Sequence, residues 1–123
     1  MVVPVSGGKD SSTVAHKLKY QYSMRHLYVN VSHGIKGLLP LNDINLHNFI
    51  ERGFDCVRIY MNNTILQYID KFGLINYGQP ILGWLTSMTI VPLKVALLHK
   101  VPLIMYAEDG ETEYGGSHQM DEG

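Results

Sequence analysis

Val2-Val3-Pro4-Val5-Ser6-Gly7-Gly8-Lys9-Asp10-Ser11-Ser12 passes from an apolar, β-branched segment through two adjacent glycines to an acid and a pair of hydroxyls. The apolar part reads as a strand and the hydroxyl residues as the start of a helix. Two glycines in a row let the backbone turn sharply and bring its N–H groups close to a ligand. At the start of a helix, unpaired N–H groups and the dipole favour an anion. The hydroxyls of Ser6, Ser11 and Ser12 add donors. The segment therefore predicts a phosphate cradle at a strand-to-helix turn. Neither GxxxxGK[ST] nor GxGxxG occurs, so a Walker-type NTPase and the dinucleotide fingerprint are both unsupported.

Outward from this turn, apolar runs alternate with helical periodicity. Residues 11–22 place Val14, Leu18 and Tyr22 on one face. A second strand is expected over residues 26–31 (HLYVNV), and a helix over 41–52 carries Leu46, Phe49 and Ile50, with Gly53 as its stop. A third strand is expected over 55–60 (DCVRIY). Asn63 is a candidate cap for a helix bearing Ile65, Leu66, Ile69 and Phe72 and closing at Gly73. Residues 74–83 read as irregular. A helix over about 86–100 looks apolar on most sides, and Pro92 should start or kink it. Residues 101–107 (VPLIMYA) read as a fourth, central strand. The order βαβαβααβ implies an α/β three-layer sandwich around a parallel sheet, with right-handed crossovers.

With 123 residues the chain is expected to be a single domain, and its abrupt strand at the start and polar end suggest that it is incomplete at both ends. Apolar residues make up 46% and charged residues 17%, enough for a core. Ten basic against eleven acidic residues give a net charge of −1, which argues against nucleic-acid coating or membrane-surface binding. A single cysteine, Cys56, excludes a disulfide framework and a CxxC zinc site, and reads as a buried small apolar residue. No apolar run approaches the roughly 20 residues of a membrane span. The expectation is a cytoplasmic protein. The six histidines (16, 26, 33, 47, 99 and 118) show no HxxxH or HExxH spacing.

Ser6-Gly7-Gly8-Lys9-Asp10-Ser11 resembles the SGGxDS pyrophosphate loop of the N-type ATP pyrophosphatases, the PP-loop superfamily. Within it the chain looks most like the N-acetyl sugar amidotransferases of surface-polysaccharide (lipopolysaccharide) synthesis. That finer likeness rests on residues 108–116 and on Pro92-Leu93-Lys94-Val95-Ala96. The resemblance implies a Rossmann-like adenine nucleotide alpha hydrolase fold with strand order 3-2-1-4(-5). Ligands would then sit beyond the carboxyl ends of strands one and four, where the winding reverses.

The implied cofactors are ATP and Mg²⁺. An amide oxygen of a nucleotide-linked N-acetyl sugar attacks the α-phosphate, pyrophosphate leaves, and ammonia from a separate glutaminase subunit displaces AMP to give an amidine. Ser6, Gly7, Gly8, Ser11 and Ser12 would hold pyrophosphate. Lys9 and Asp10 are the catalytic candidates, Lys9 neutralising the leaving group and Asp10 either holding Mg²⁺ or orienting the loop. Asn30, Val31 and Ser32 would meet adenine, mainly through backbone, and His33 either joins them or is a plain turn residue. Glu108 is a further nucleotide contact, and with Asp109 and Asp10 a candidate Mg²⁺ ligand; Glu111 and Glu113 extend the same acidic loop, which is otherwise a solvated turn. Tyr114-Gly115-Gly116 either touches the sugar or is a simple turn. Two alternatives stay open: a tRNA-modifying (thiolating) member of the superfamily, and a catalytically incomplete ATP-binding domain.

Overall fold

A computed structural model of the chain describes residues 1–32 and 40–107. Three strands, β1 (Val2–Pro4), β2 (Leu27–Ser32) and β3 (Cys56–Tyr60), form one parallel sheet in the order β1-β2-β3. Val3 pairs with Tyr28, and Val29 with Val57. Helices α1 (Lys9–Tyr20) and α2 (Pro40–Glu51) make the two crossovers, and α3 (Asn63–Tyr77) and α4 (Leu82–Leu98) follow β3.

Strand side chains alternate between the two faces of the sheet, and so does the core. Val3, Val5 and Tyr28 pack with Ala15 and Leu18 of α1, Leu46 of α2, and Phe54. Val2, Val29 and Val31 pack with Val91, Val95 and Ala96 of α4 on the opposite face. Helices thus cover both faces, as a parallel sheet requires. Phe54 stacks on Phe49 with centroids 4.2 Å apart and meets Tyr28 edge-on at 5.1 Å. Burying one such ring contributes about 2–3 kcal/mol.

Several expected elements shift. α1 buries Leu18 as expected, together with Ser11 and Ala15, and Val14 packs half-buried against the same core, whereas Tyr22 lies beyond the helix and is exposed. α2 stops before Gly53 (φ +77), as expected. α3 does not close at Gly73 but at Gly78, whose φ is +67. Gly73 instead allows the start of α4 to approach closely: a Cβ there would lie 2.6 Å from Leu82 Cβ. Asn62, not Asn63, caps α3, its side chain accepting from the N–H groups of Thr64 and Ile65. Asp70 reaches across the corner to accept from the Gly83 N–H at 2.7 Å, an acid at the start of α4 where the helix dipole favours it.

α4 begins at Leu82 and runs past Pro92, which sits on its buried face. The helix is not enclosed on most sides. Ile90, Leu93, Leu97 and Leu98 are exposed, and so are Ile65, Tyr68, Phe72, Ile75 and Tyr77 of α3. Residues 101–107 run beside β1 and, among the described residues, make one bridge, Ile104 to Val2, with Val2 N–H on the Leu103 carbonyl and Met105 N–H on the Val2 carbonyl, each at 2.9 Å. The expected central strand is thus a single parallel bridge at the open edge of β1. Pro102 has no N–H to pair, and Leu103 and Tyr106 face solvent. Among the described residues no single helix is long and apolar enough to cross a membrane.

Candidate functional site

β1 leads directly into the turn 5–8, and α1 begins at Lys9, with Gly8 in the N-cap position. The helix therefore starts two residues earlier than the hydroxyl pair suggested. Gly7 adopts φ +85, a region closed to most side chains, and a Cβ there would also meet the Asn42 carbonyl oxygen at 3.1 Å. Gly8 has an ordinary φ of −81.

The polar groups of the turn divide into two sets. Three of its carbonyls are paired. Val5 C=O accepts from Asn30 Nδ2 at 2.8 Å, Gly7 C=O from Asn45 Nδ2 at 3.0 Å, and Gly8 C=O from Ser12 Oγ at 2.7 Å and Ser12 N–H at 3.2 Å. Ser11 Oγ also reaches the Gly8 carbonyl at 3.4 Å and lies 3.4 Å from Ser6 Oγ. Ser6 Oγ accepts the Gly8 N–H at 3.2 Å. By contrast, the N–H groups of Gly7, Lys9, Asp10 and Ser11 have no partner among the described residues. The three serine hydroxyls are thus engaged within the turn, and Ser11 is buried. The donors left over are backbone N–H groups at a helix N-terminus, a suitable environment for an anion.

Lys9 and Asp10 are both exposed, with Lys9 Nζ 3.6 Å from Asp10 Oδ1. Asp10 accepts no N–H bond from the loop among the described residues, so the loop-orienting role expected of it is not seen there. It lies in the first turn of α1, where a negative charge is favourable. Among the described residues no group of three His, Cys, Asp or Glu could hold a metal ion. Asp10 is the carboxylate at the turn among the described residues, and Mg²⁺ in phosphate sites is held by one or two carboxylates together with phosphate oxygens and water. His33, Glu108, Asp109, Glu111, Glu113 and Tyr114-Gly115-Gly116 lie outside the described residues.

Asn30, Val31 and Ser32 end β2 beside this turn, all buried. Tyr28 donates to Asp55 and Ser32 accepts from Met61, so alternate residues of β2 face β3. Val29 accepts from Val5 on the other side. Ladder alternation directs the Val31 N–H and C=O to that same side, past the end of β1. Asn30 Oδ1 is buried without a hydrogen-bond partner among the described residues.

The sequence predicts α2 and its apolar stripe, but not the polar face that α2 turns toward the loop. Asn42, Asn45 and Asn48 recur every three residues, which is the signal that could have exposed its polar face. At one end Asn45 ties α2 to the turn. At the other, Lys19 of α1 donates to the Gly53 carbonyl at 2.7 Å and lies over the Phe54 ring at 4.0 Å. Between these ties an open cleft of about 420 Å³ runs from Gly7 and Lys9 down to Arg52 and Phe54.

No family model matches the chain, and no curated protein matches its sequence. Among solved structures it is similar to a predicted subunit of a tRNA methyltransferase from Methanocaldococcus jannaschii, at 19% identity and a TM-score of 0.60 over 90% of this chain. The chain spans about half of that protein, 53% of its length. What the likeness shows is the fold, a Rossmann-like α/β arrangement.

Proposed function

We propose that this chain is the nucleotide-binding part of a PP-loop enzyme that cleaves ATP between its α and β phosphates. The observation that carries the reading is the set of unpaired N–H groups at the Gly7–Gly8 turn, where α1 leaves the carboxyl end of β1. An acceptor oxygen attacks the α-phosphorus, the α–β anhydride bond breaks, and pyrophosphate departs with the bonding pair. The negative charge it gains falls on the turn's N–H groups, with Lys9 beside them. Donors fixed in advance where charge develops are worth most in a site that excludes water. The backbone of Val31 is suited to meet adenine, since its N–H and C=O face past the end of β1.

The acceptor we propose first is a nucleotide-linked N-acetyl sugar, with ammonia supplied by a glutaminase partner. It rests on the sequence of residues 108–116, since Pro92, Val95 and Ala96 are accounted for by packing on the sheet. A tRNA acceptor is the second reading, favoured by the name of the structural neighbour. The deciding experiment incubates the chain with ATP and Mg²⁺, alone and with a UDP-N-acetyl sugar plus ammonia or with bulk tRNA. AMP and pyrophosphate formed with one acceptor identify the class. ADP and phosphate overturn the reading. Tight ATP binding without turnover marks these residues as the nucleotide half of a longer enzyme.

A further inference from the structure

An anion held at a peptide turn meets two sets of dipoles, N–H groups that attract it and carbonyls that repel it. A glycine peptide turns over more readily than any other, because neither φ region is closed to it. At this turn Gly7 is the residue at positive φ, and the peptide unit joining it to Gly8 is the one whose rotation would bring a carbonyl round toward the ligand. That carbonyl is held from outside the loop. Asn45 of α2, 38 residues away, donates its side-chain amide to it at 3.0 Å. A carbonyl accepts only, so this contact also fixes which end of the amide faces the loop. Asn30 does the same for the Val5 carbonyl one peptide before Ser6.

We infer that Asn45 is a positioning residue for anion binding: by holding the Gly7 carbonyl toward α2 it keeps the turn's N–H groups directed at the ligand. This rests on the reading that the loop receives pyrophosphate. Asn45 itself touches no phosphate in this scheme. Its side chain is half-buried at the head of the α1–α2 cleft, so truncation leaves no enclosed hole.

The test is calorimetric titration of the full chain with inorganic pyrophosphate, alongside thermal melts by circular dichroism. Asn45→Ala is expected to weaken binding about tenfold, the equivalent of one hydrogen bond, with its melting temperature little changed. Asn45→Gln, which keeps the amide donor, should restore affinity to within about threefold of the parent. Asn45→Asp keeps the shape but sets an acceptor against the carbonyl, and should bind more weakly than Asn45→Ala. Equal affinity in the parent and Asn45→Ala overturns the proposal and leaves the loop reading intact. A loss that Asn45→Gln fails to restore, or that follows the melting temperature, assigns Asn45 to helix packing and also overturns it. Should Asn45→Ala not fold, the Gln and Asp pair decides: equal affinity in those two overturns the proposal. No binding by the parent chain removes the loop reading, and the inference with it.

Discussion

A Cβ built on Gly73 would lie 2.6 Å from Leu82 Cβ and 2.5 Å from the Gln79 carbonyl oxygen, so α3 and α4 meet at a contact that admits hydrogen only. In an isolated helix, glycine to alanine stabilises by about 1 kcal/mol. At this corner the clash outweighs the propensity, because both opposing atoms belong to backbone or to a Cβ. Gly73→Ala is expected to destabilise by about 1–3 kcal/mol, measured by urea denaturation; a stabilised variant would show that the corner opens freely.

Glycines 7 and 8 are not equivalent. Gly7 has φ +85 and a backbone carbonyl within 3.1 Å of its missing Cβ, whereas the Cβ of Gly8 would meet only the Ser6 hydroxyl at 3.2 Å. Gly7→Ala should cost about 1–3 kcal/mol and disrupt pyrophosphate binding. Gly8→Ala should cost under about 1 kcal/mol, since a hydroxyl rotates away. Equal losses in denaturant melts would refute the distinction.

Asn62→Ala removes the side-chain acceptor for two N–H groups at the start of α3. The expected loss is about 1 kcal/mol, and Asn62→Ser should recover most of it. Thermal melts of the three proteins check the order.

His26 supplies a pH dependence. Its Nε2 lies 3.3 Å from the Ala15 carbonyl, and Nδ1 is buried with no hydrogen-bond partner among the described residues. Burial holds its pKa below the ordinary 6.5, against the pull of the Ala15 and Met24 carbonyls. Protonation therefore favours the unfolded chain. The stability that His26 confers as a neutral ring is complete above pH 6.5 and declines as pH falls from there toward its folded-state value. Relative to His26→Gln, the parent should lose more stability between pH 7.5 and 5.5, roughly one unit either side of the free imidazole value. Parallel stability curves would exclude the assignment.

The elements legible in the sequence were those written in local chemistry. Strand runs, the stop at Gly53 and the glycine turn each depend on neighbours a few positions away. Gly73 was misread because one residue type serves two purposes: positive φ, as at Gly78, and close approach of another helix, which only the tertiary fold reveals. The apolar run 101–107 does not show whether a strand has neighbours on one side or two, and among the described residues Val2 is the one strand residue that bonds to its backbone. At the site the donors were visible within one short segment. What holds them, Asn45, lies 38 residues from Gly7 and left only a three-residue asparagine rhythm in α2.

Ile75, Tyr77, Leu97 and Leu98 of the α3–α4 pair are 69–76% exposed while the chain is fully folded. A dye that brightens on apolar surface will therefore find a target before any unfolding begins. Its signal starts high, and dye-based melting reports detachment from this face rather than loss of structure. Sulfate and other excluded salts, which strengthen apolar association, should drive the protein out of solution where moderate chloride does not. The unfolding comparisons above are accordingly best read from backbone ellipticity in low-sulfate buffer.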